Sequence, residues 1–376
     1  MLVNAARTML GLPVTPARER AIRILIVKLD RIGDMVLTSP LLRELRRAFP
    51  EAWITLIAAE SVRPLLASCP HISEAFFIEP AADSLRAKLR RWRDNTRLAW
   101  KELLARRYTH ALLPRYGVDH YLSYHLLALS GAHERIGFSV DVDPVKATEN
   151  RGCDRLLTQV LPRVPSGHEV ERILRVLAPF DCQPVSSKLE LWLDPAAREH
   201  AAHLAARWSG CQLIGVCPSA HELVRDWPFS SFVETFARFA ASPKVQFVIF
   251  GGPGLEWIGD ALGQNNFTHV TNLAGQFSLD VVAALIAHCK LFVTVDTGLM
   301  HLAAAQGIPI VEISSQPSGG DPNHHHSPER FGPWQVPHRI LRPPTGALPR
   351  PNERLIQQVS VDEVVAAMRA LLSSLA

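Results

Sequence analysis

Short apolar segments recur along both halves of the chain, each separated from the next by a helix-like stretch. Such alternation is typical of parallel sheets covered by helices, whose buried strands are almost wholly apolar. The predicted strands are residues 22–27, 53–57, 76–78 and 109–113 in the first half and 213–216, 245–250, 291–295 and 308–313 in the second. The pattern predicts an α/β chain with two doubly wound lobes that face each other across a central cleft.

The length of 376 residues also favours two domains, because it exceeds what one ordinary hydrophobic core holds. We predict a basic N-terminal tail (1–20), a first Rossmann-like lobe (21–183), a second Rossmann-like lobe (184–345) and a C-terminal tail and helix (346–376). The start of the second lobe, 184–195, is predicted to be a linker that carries one short strand. The last helix, 361–375, has an apolar face that could pack on either lobe.

Six cysteines lie far apart without a Cys-x-x-Cys pair, which argues against a zinc ribbon, a redox motif or a disulfide scaffold. Residues 1–14 lack the apolar core of a signal peptide, and no segment approaches the ~20 apolar residues needed to cross a bilayer. These features predict a cytoplasmic location.

Ligands of open parallel sheets bind beyond the carboxyl ends of the strands, and the first such loop here is Asp30-Arg31-Ile32-Gly33-Asp34. Gly33 permits a tight turn, and Asp34 falls at or near the start of the next helix. Asp34 is therefore either an ordinary helix N-cap or a functional carboxylate.

Two loops of the second half follow predicted strands. In the loop 218–228, Arg225 could neutralise a leaving diphosphate, or could pair with Asp226 at the surface. The glycine cluster 251–254 does not match the G-x-G-x-x-G motif of dinucleotide-binding proteins.

The fourth loop, Asp296-Thr297-Gly298, leads into a helix whose first amides could receive a phosphate. His301 on that helix is either part of this site or a hydrogen-bonded histidine of the core. Asp-Thr-Gly also occurs in aspartic proteases, but these need two such triplets on paired loops. This chain has one, followed by a helix, so a protease is excluded.

Together these motifs resemble glycosyltransferase family 9, the heptosyltransferases of lipopolysaccharide core assembly, which have a GT-B fold of two Rossmann-like lobes. The resemblance spans about residues 22 to 340. Its motifs are Lys28-Leu29-Asp30-Arg31-Ile32-Gly33-Asp34, Thr38-Ser39-Pro40, Arg135-Ile136-Gly137-Phe138, His168-Glu169-Val170-Glu171-Arg172, Trp227-Pro228, Asn272-Leu273-Ala274-Gly275, Asp296-Thr297-Gly298-Leu299-Met300-His301 and Phe331-Gly332-Pro333.

The resemblance implies inverting transfer of a heptose from ADP-heptose to a lipopolysaccharide core acceptor, with Asp34 as general base. It also implies that 21–183 is the acceptor-binding lobe and 184–345 the nucleotide-sugar-binding lobe. We predict that no metal or other cofactor is required. The donor site it implies comprises Ser219, His221, Arg225, Gly252, Glu256, Asp296, Thr297, Gly298, Leu299 and His301. Arg225 stands where the family commonly has lysine, and His221 where it often has serine or threonine. Two alternatives are another nucleotide sugar for a different surface glycan and a non-catalytic sugar-nucleotide-binding module. Glu256 could also be a solvated residue of a helix face.

Residues 85–108 contain nine Lys or Arg against Asp94 and Glu102, and carry Leu85, Leu89, Trp92, Ala99 and Leu103 at helical spacing. This pattern predicts a basic amphipathic helix, which suits an acidic lipid-linked saccharide at the inner membrane or is simply a solvated face. The predicted acceptor-binding residues are Arg31, Arg90, Arg91 and Arg93. Nucleic acid is not favoured as a partner, because aromatic platforms and a binding module are missing.

Three consecutive histidines, His324-His325-His326, suggest a metal site at first sight. Three adjacent side chains of a regular backbone cannot all face one ion. We therefore predict a donor-side loop there, without a metal.

Overall fold

The computed structural model describes residues 21–79, 85–220, 222–242, 244–255, 257–263, 267–348 and 353–374. Within them the backbone forms two six-stranded sheets, and every strand pairs in parallel with its neighbours. The predicted α/β class with two doubly wound, Rossmann-like lobes is confirmed. The predicted domain boundary at 183/184 falls between the two sheets and stays a prediction.

The first sheet has the strand order β3-β2-β1-β4-β5-β6. The order reverses between β1 and β4, so the loops after these two strands border a crevice. The strands are β1 (Arg23–Lys28), β2 (Trp53–Ala59), β3 (Glu74–Ile78), β4 (His110–Leu113), β5 (Glu134–Phe138) and β6 (Gln159–Leu161).

The second sheet has the order β12-β11-β10-β7-β8-β9, which reverses between β7 and β10. The loops 218–228 and 296–298 follow these two strands and are therefore neighbours. The strands are β7 (Gln212–Cys217), β8 (Val245–Ile249), β9 (Val270–Asn272), β10 (Leu291–Val295), β11 (Ile310–Ile313) and β12 (His338–Leu341).

Helices cover the sheets. Those of the first lobe are α1 (Ile32–Ala48), α2 (Arg63–Leu66), α3 (Leu85–Leu98), α4 (Ser123–Leu129), α5 (Pro144–Glu149) and α6 (Glu169–Leu174). Those that follow are α7 (Pro195–Ala205), α8 (Phe229–Ala237), α9 (Trp257–Gly263), α10 (Leu279–Ile286), α11 (Gly298–Ala305), α12 (Pro328–Phe331) and α13 (Val361–Ser373). Across the described ranges, none of these helices is long and apolar enough to cross a membrane.

The two faces of β1 contribute to different cores. Ile24 and Ile26 belong to a core that continues into the second lobe, where it includes Phe292 of β10. Leu25 and Val27 face the opposite side, which α3 and α4 cover. The lobes therefore share one apolar core, and α1 packs directly against α11.

The loop after β1 is shorter than predicted, because α1 begins at Ile32 and Gly33 and Asp34 already lie in its first turn. Pro40 lies inside this helix and cannot donate to the Val36 carbonyl. The Ser39 hydroxyl donates to that carbonyl instead, at 2.7 Å. This local side-chain bond thus allows the helix to continue through Pro40.

Other predicted elements also change. The segment 184–194 forms no strand in either described sheet, although Leu189 and Leu193 are buried. The motif 168–172 is helical only from Glu169, with His168 as the N-cap residue, and the helix continues into a 3-10 stretch. Strands β5, β6, β9 and β12 were not predicted, because they are short and carry polar residues. Helix α13 packs on the second lobe, where Val364 and Met368 join its core.

Helix α3 is rotated relative to the amphipathic helix that was predicted. The inward face bears Arg91, Asn95, Ala99 and Leu103, one residue every four, whereas Leu89 and Trp92 are exposed. Arg91 Nη1 donates to the His120 carbonyl at 3.1 Å. Because Arg91 takes the inward position, the predicted apolar face is wrong for Leu89 and Trp92.

Candidate active site between the two lobes

Asp34 lies in the first turn of α1, just beyond the carboxyl end of β1. Arg31 is the N-cap residue of this helix, with extended backbone and no capping hydrogen bond from its side chain. Asp34 is three residues further on, and its carboxylate accepts no hydrogen bond from the part of the chain that the structure describes. The N-cap alternative is therefore wrong, and the carboxylate is available to another group.

Four charged side chains surround Asp34. Burial raises the pKa of Asp34, Lys28 opposes the rise, and the charge of Glu169 adds to it. Arg330 lowers this pKa and Asp296 raises it, both from the second lobe. A carboxylate with a raised pKa binds a proton more readily, which is the requirement for a general base.

Lys28 at the end of β1 is buried and forms an ion pair with Asp30, whose Oδ2 lies 2.9 Å from its Nζ. Burial lowers the pKa of Lys28 to about 8. Arg115, from the loop after β4, also pairs with Asp30. Both strands at the reversal of the first sheet thus contribute charge to the crevice.

Two glycines bring the lobes into contact beside Asp34. A Cβ atom at Gly33 would lie 2.6 Å from His301 Cδ2 and 3.3 Å from Gly298 Cα. A Cβ atom at Gly298 would lie 3.1 Å from the backbone nitrogen of Gly33. Only residues without a side chain permit this approach of α1 to α11. The predicted base is therefore next to the predicted phosphate-binding loop.

We expect Gly33→Ala to lower kcat/KM by at least about tenfold. The new methyl group would push the starts of α1 and α11 apart, and a displacement of about 1 Å between reacting groups slows catalysis strongly. Steady-state kinetics measures the loss, and thermal unfolding shows whether the variant is still folded. The matched control is Gly117→Ala, where the nearest atom, Arg330 Nη2, lies at an ordinary 3.4 Å. Equal activity of Gly33→Ala and the wild type would contradict a requirement for this contact.

Arg225 joins the two loops of the second lobe. Its Nη1 donates to the backbone oxygen and to Oδ2 of Asp296, both at 3.0 Å, and its Nε donates to Glu222 Oε2 at 3.1 Å. Asp226 instead accepts from Ser219 Oγ at 2.9 Å and from the Ala220 amide at 2.7 Å. The alternative of a surface Arg225–Asp226 pair is therefore wrong.

His326 completes a cluster with Arg225, Glu222 and Asp296. Its Nδ1 lies 3.4 Å from Asp296 Oδ2, and its Nε2 lies 3.7 Å from Glu222 Oε2. Burial would raise the pKa of Asp296, but His326 and Arg225 hold it below its usual value. The histidine segment thus lies beside the Asp296 loop, as the predicted donor-side loop requires. Sequence reasoning missed Glu222, whose only signal was its position beyond β7.

Thr297 and His301 flank the start of α11. Thr297 is the N-cap residue, and its Oγ1 lies 3.1 Å from Thr294 Oγ1, so its side chain does not cap the first amides of α11. His301 is buried, which lowers its pKa to about 4. Its Nδ1 has no partner among the described residues, so His301 is not a hydrogen-bonded core histidine.

Helix α6 fastens the first lobe to the segment 323–334 of the second. Arg330 Nε donates to Glu169 Oε2 at 2.6 Å, and both side chains are buried. Arg172 donates to Asn323 Oδ1 at 2.6 Å, and the His168 ring stacks on Trp334 with centroids 4.3 Å apart. The motif 168–172 therefore acts across the cleft, which the sequence did not indicate.

The remaining predicted residues are dispersed. Gly252 is partly exposed in the loop after β8, and Leu299 packs against the shared core. Arg31 lies at the cleft, 3.5 Å from Glu222, whereas Arg90 and Arg93 are exposed on α3. Arg91 is buried and so does not belong to the exposed basic surface. His221 and Glu256 lie outside the described residues.

Two Rossmann-like lobes with this cleft have the architecture of a GT-B glycosyltransferase. The model of glycosyltransferase family 9 (heptosyltransferase) matches residues 126–353. The match covers more than half of the chain, which therefore belongs to glycosyltransferase family 9.

Similar proteins agree with this assignment. The chain is 26% identical over 337 residues to lipopolysaccharide heptosyltransferase 2 of Escherichia coli K12, covering 86% of this chain and 89% of that protein. It is 28% identical over 338 residues to the protein of that name from Salmonella typhimurium LT2, with the same coverage of 86% and 89%.

Solved structures show the same fold. The family 9 glycosyl transferase of Veillonella parvula superposes with a TM-score of 0.76 at 21% identity, over 95% of this chain and 99% of that one. The ADP-heptose heptosyltransferase II of E. coli gives 0.68 at 24% identity, over 94% and 99%.

Proposed function

We propose that this glycosyltransferase transfers a heptose from ADP-heptose to a lipopolysaccharide core acceptor with inversion at the anomeric carbon. The observation that carries the proposal is the contact of α1 with α11, which puts the Asp34 carboxylate beside the Asp296 loop. The named heptosyltransferase relatives support the choice of sugar and acceptor.

In the proposed reaction Asp34 removes the proton of an acceptor hydroxyl while that oxygen attacks the anomeric carbon of the donor. The bond between this carbon and the diphosphate oxygen breaks at the same time, and ADP leaves with the electron pair. Attack from the face opposite the leaving group inverts the centre and requires no covalent intermediate. The proton remains on Asp34 until solvent removes it.

We propose that Arg225 and the first amides of α11 stabilise the charge of the departing diphosphate. A guanidinium and helix-start amides are suited to phosphate oxygens. Arg225 already bonds Asp296, so phosphate binding would replace or extend that pair. His301, neutral at physiological pH, would offer one ring nitrogen to the donor.

ADP-heptose is expected to raise the melting temperature more than UDP- or GDP-sugars, because a ligand stabilises the folded state that binds it. The same donor should support transfer to purified core acceptor, and EDTA should leave the rate unchanged, since the cations of the protein replace a metal. Preferential stabilisation by a UDP- or GDP-sugar would indicate a different surface glycan. Binding without product would indicate a non-catalytic module.

We also propose that the reaction takes place at the cytoplasmic face of the inner membrane, where the acceptor is anchored by its lipid. Arg31, Arg90 and Arg93 would attract the acidic groups of the acceptor. Two of these, Arg90 and Arg93, are exposed on a strongly basic helix, which supports this location.

A further inference from the structure

Helix α3 and the turns after it expose a row of large apolar side chains. The exposed fractions are 62% for Leu89, 53% for Trp92, 78% for Trp100 and 42% for Leu104. Positions 89 and 92 lie on adjacent turns of α3, and Trp100 and Leu104 lie on the helical turns that follow it. Large apolar side chains clustered on one solvent-facing surface mark an interaction site. We call these four residues the apolar row.

Cations flank the apolar row. Six of them are exposed, namely Arg86, Lys88, Arg90, Arg93, Arg97 and Lys101, against two acidic residues, Asp94 and Glu102, in the same stretch. A helix with tryptophan and leucine on one face and Lys or Arg around it is typical of segments that lie in the plane of a lipid interface. Tryptophan prefers the headgroup level, because its ring is apolar and its N–H remains hydrated.

We propose that the apolar row inserts into the interface of an anionic phospholipid bilayer, with α3 lying in the membrane plane. This inference rests on the proposed function, which requires a lipid-anchored acceptor. The positive charge of the α3 surface favours a lipid partner. A protein partner would need a complementary acidic surface, whereas anionic headgroups supply negative charge along the whole helix.

The inward side of α3 connects the apolar row to the crevice. Arg91 lies over the Tyr121 ring, with Cζ 5.5 Å from the centroid, and Arg115 approaches the same ring at 5.3 Å. Arg115 in turn pairs with Asp30, four residues before Asp34. A bilayer bound to the outer side of α3 would therefore lie next to the first-lobe half of the cleft, where the acceptor is expected.

The test is vesicle flotation of the full chain with phosphatidylcholine vesicles, with and without phosphatidylglycerol. We expect binding only to the anionic vesicles. The bound fraction of the double variant Trp92→Ala/Trp100→Ala should be at least about tenfold smaller, because it lacks the two rings that would bury apolar surface in the bilayer. The matched control is Trp257→Ala, because Trp257 is exposed to 49% on the second lobe. Equal flotation of the double variant and the wild type would overturn the proposal.

Activity distinguishes membrane binding from acceptor recognition. The double variant should transfer sugar to a deacylated, water-soluble acceptor at the wild-type rate, but lose activity on an acceptor embedded in anionic vesicles. Loss on both acceptors would overturn the proposal and make the apolar row part of the acceptor site. A wild-type dimer that the double variant dissociates would assign the row to a second copy and also overturn it. Vesicle binding that depends on the row, without heptosyl transfer to any acceptor, would refute the proposed function alone.

Discussion

Asp34→Asn is expected to lower kcat by about 10²–10⁴-fold while leaving the affinity for the donor intact, because asparagine cannot accept the proton of the acceptor hydroxyl. Steady-state kinetics measures the loss, and calorimetry with the donor measures the affinity. The structure favours this separation of effects, since the carboxylate makes no described hydrogen bond whose loss would disturb the donor loop.

The pH profile provides a second measurement on the same residue. Burial raises the pKa of Asp34, so activity should fall with decreasing pH at a higher pH than an ordinary aspartate would give. The raised pKa also determines how Asp34 affects stability. Ionisation of Asp34 is less favourable in the folded state than in the unfolded chain. The stability that the protonated form of Asp34 provides is therefore lost as the pH rises through the pKa of Asp34 in the folded protein. Asp34→Asn should therefore raise the melting temperature at neutral pH.

Asp362→Asn is a suitable control, because this side chain is 80% exposed and its ion pair within the described ranges is with the surface residue Arg238. It should change neither turnover nor the melting temperature measurably. Near-normal turnover of Asp34→Asn would exclude Asp34 as the base. A lower melting temperature would show instead that the carboxylate has a stabilising partner.

Arg330→Met is expected to lower the free energy of unfolding by about 3–5 kcal/mol, because it leaves the Glu169 carboxylate buried without its closest cation. Glu169 Oε2 and Arg330 Nε are 2.6 Å apart, with side-chain exposures of 3% and 5%. The variant also loses the contact of the guanidinium with the Phe331 ring, 4.7 Å from its centroid. Urea unfolding measures the difference.

The pH dependence separates lost charge pairing from lost packing. Burial would raise the pKa of Glu169, but Arg330 brings it below its usual value. The ion pair therefore stabilises the fold fully at a pH above the pKa of Glu169 in the unfolded chain. This stabilisation is lost as the pH falls through the lower pKa of Glu169 in the folded protein. The deficit of Arg330→Met should therefore shrink in acid. The matched control, Arg238→Met, removes exposed pairs with Glu234 and Asp362 and should change the free energy of unfolding far less than Arg330→Met does. A deficit that does not change with pH would contradict the role of charge.

The sequence alone determined the architecture. Buried parallel strands must be apolar along their whole length, and this requirement is visible in 22–27, 213–216 or 291–295 without any tertiary information. The loops that hold Asp34, Arg225 and Asp296 were found for a related reason, because binding loops of such sheets follow the strand ends. The short strands β6 and β9 were missed, since three residues with polar members have no detectable pattern.

Only the tertiary structure decided which of these residues meet. Strand order brings the loops after β7 and β10 together, and the glycine contact at Gly33 and Gly298 brings α1 to them. Glu169 and Arg330 are 161 residues apart, and no local pattern encodes such a pairing. The orientation of α3 was likewise visible only in the fold, where Arg91 donates inward to the His120 carbonyl while Trp92 and Trp100 are more than half exposed. A periodic pattern determines that a helix has two faces, but the surrounding contacts determine which face is buried.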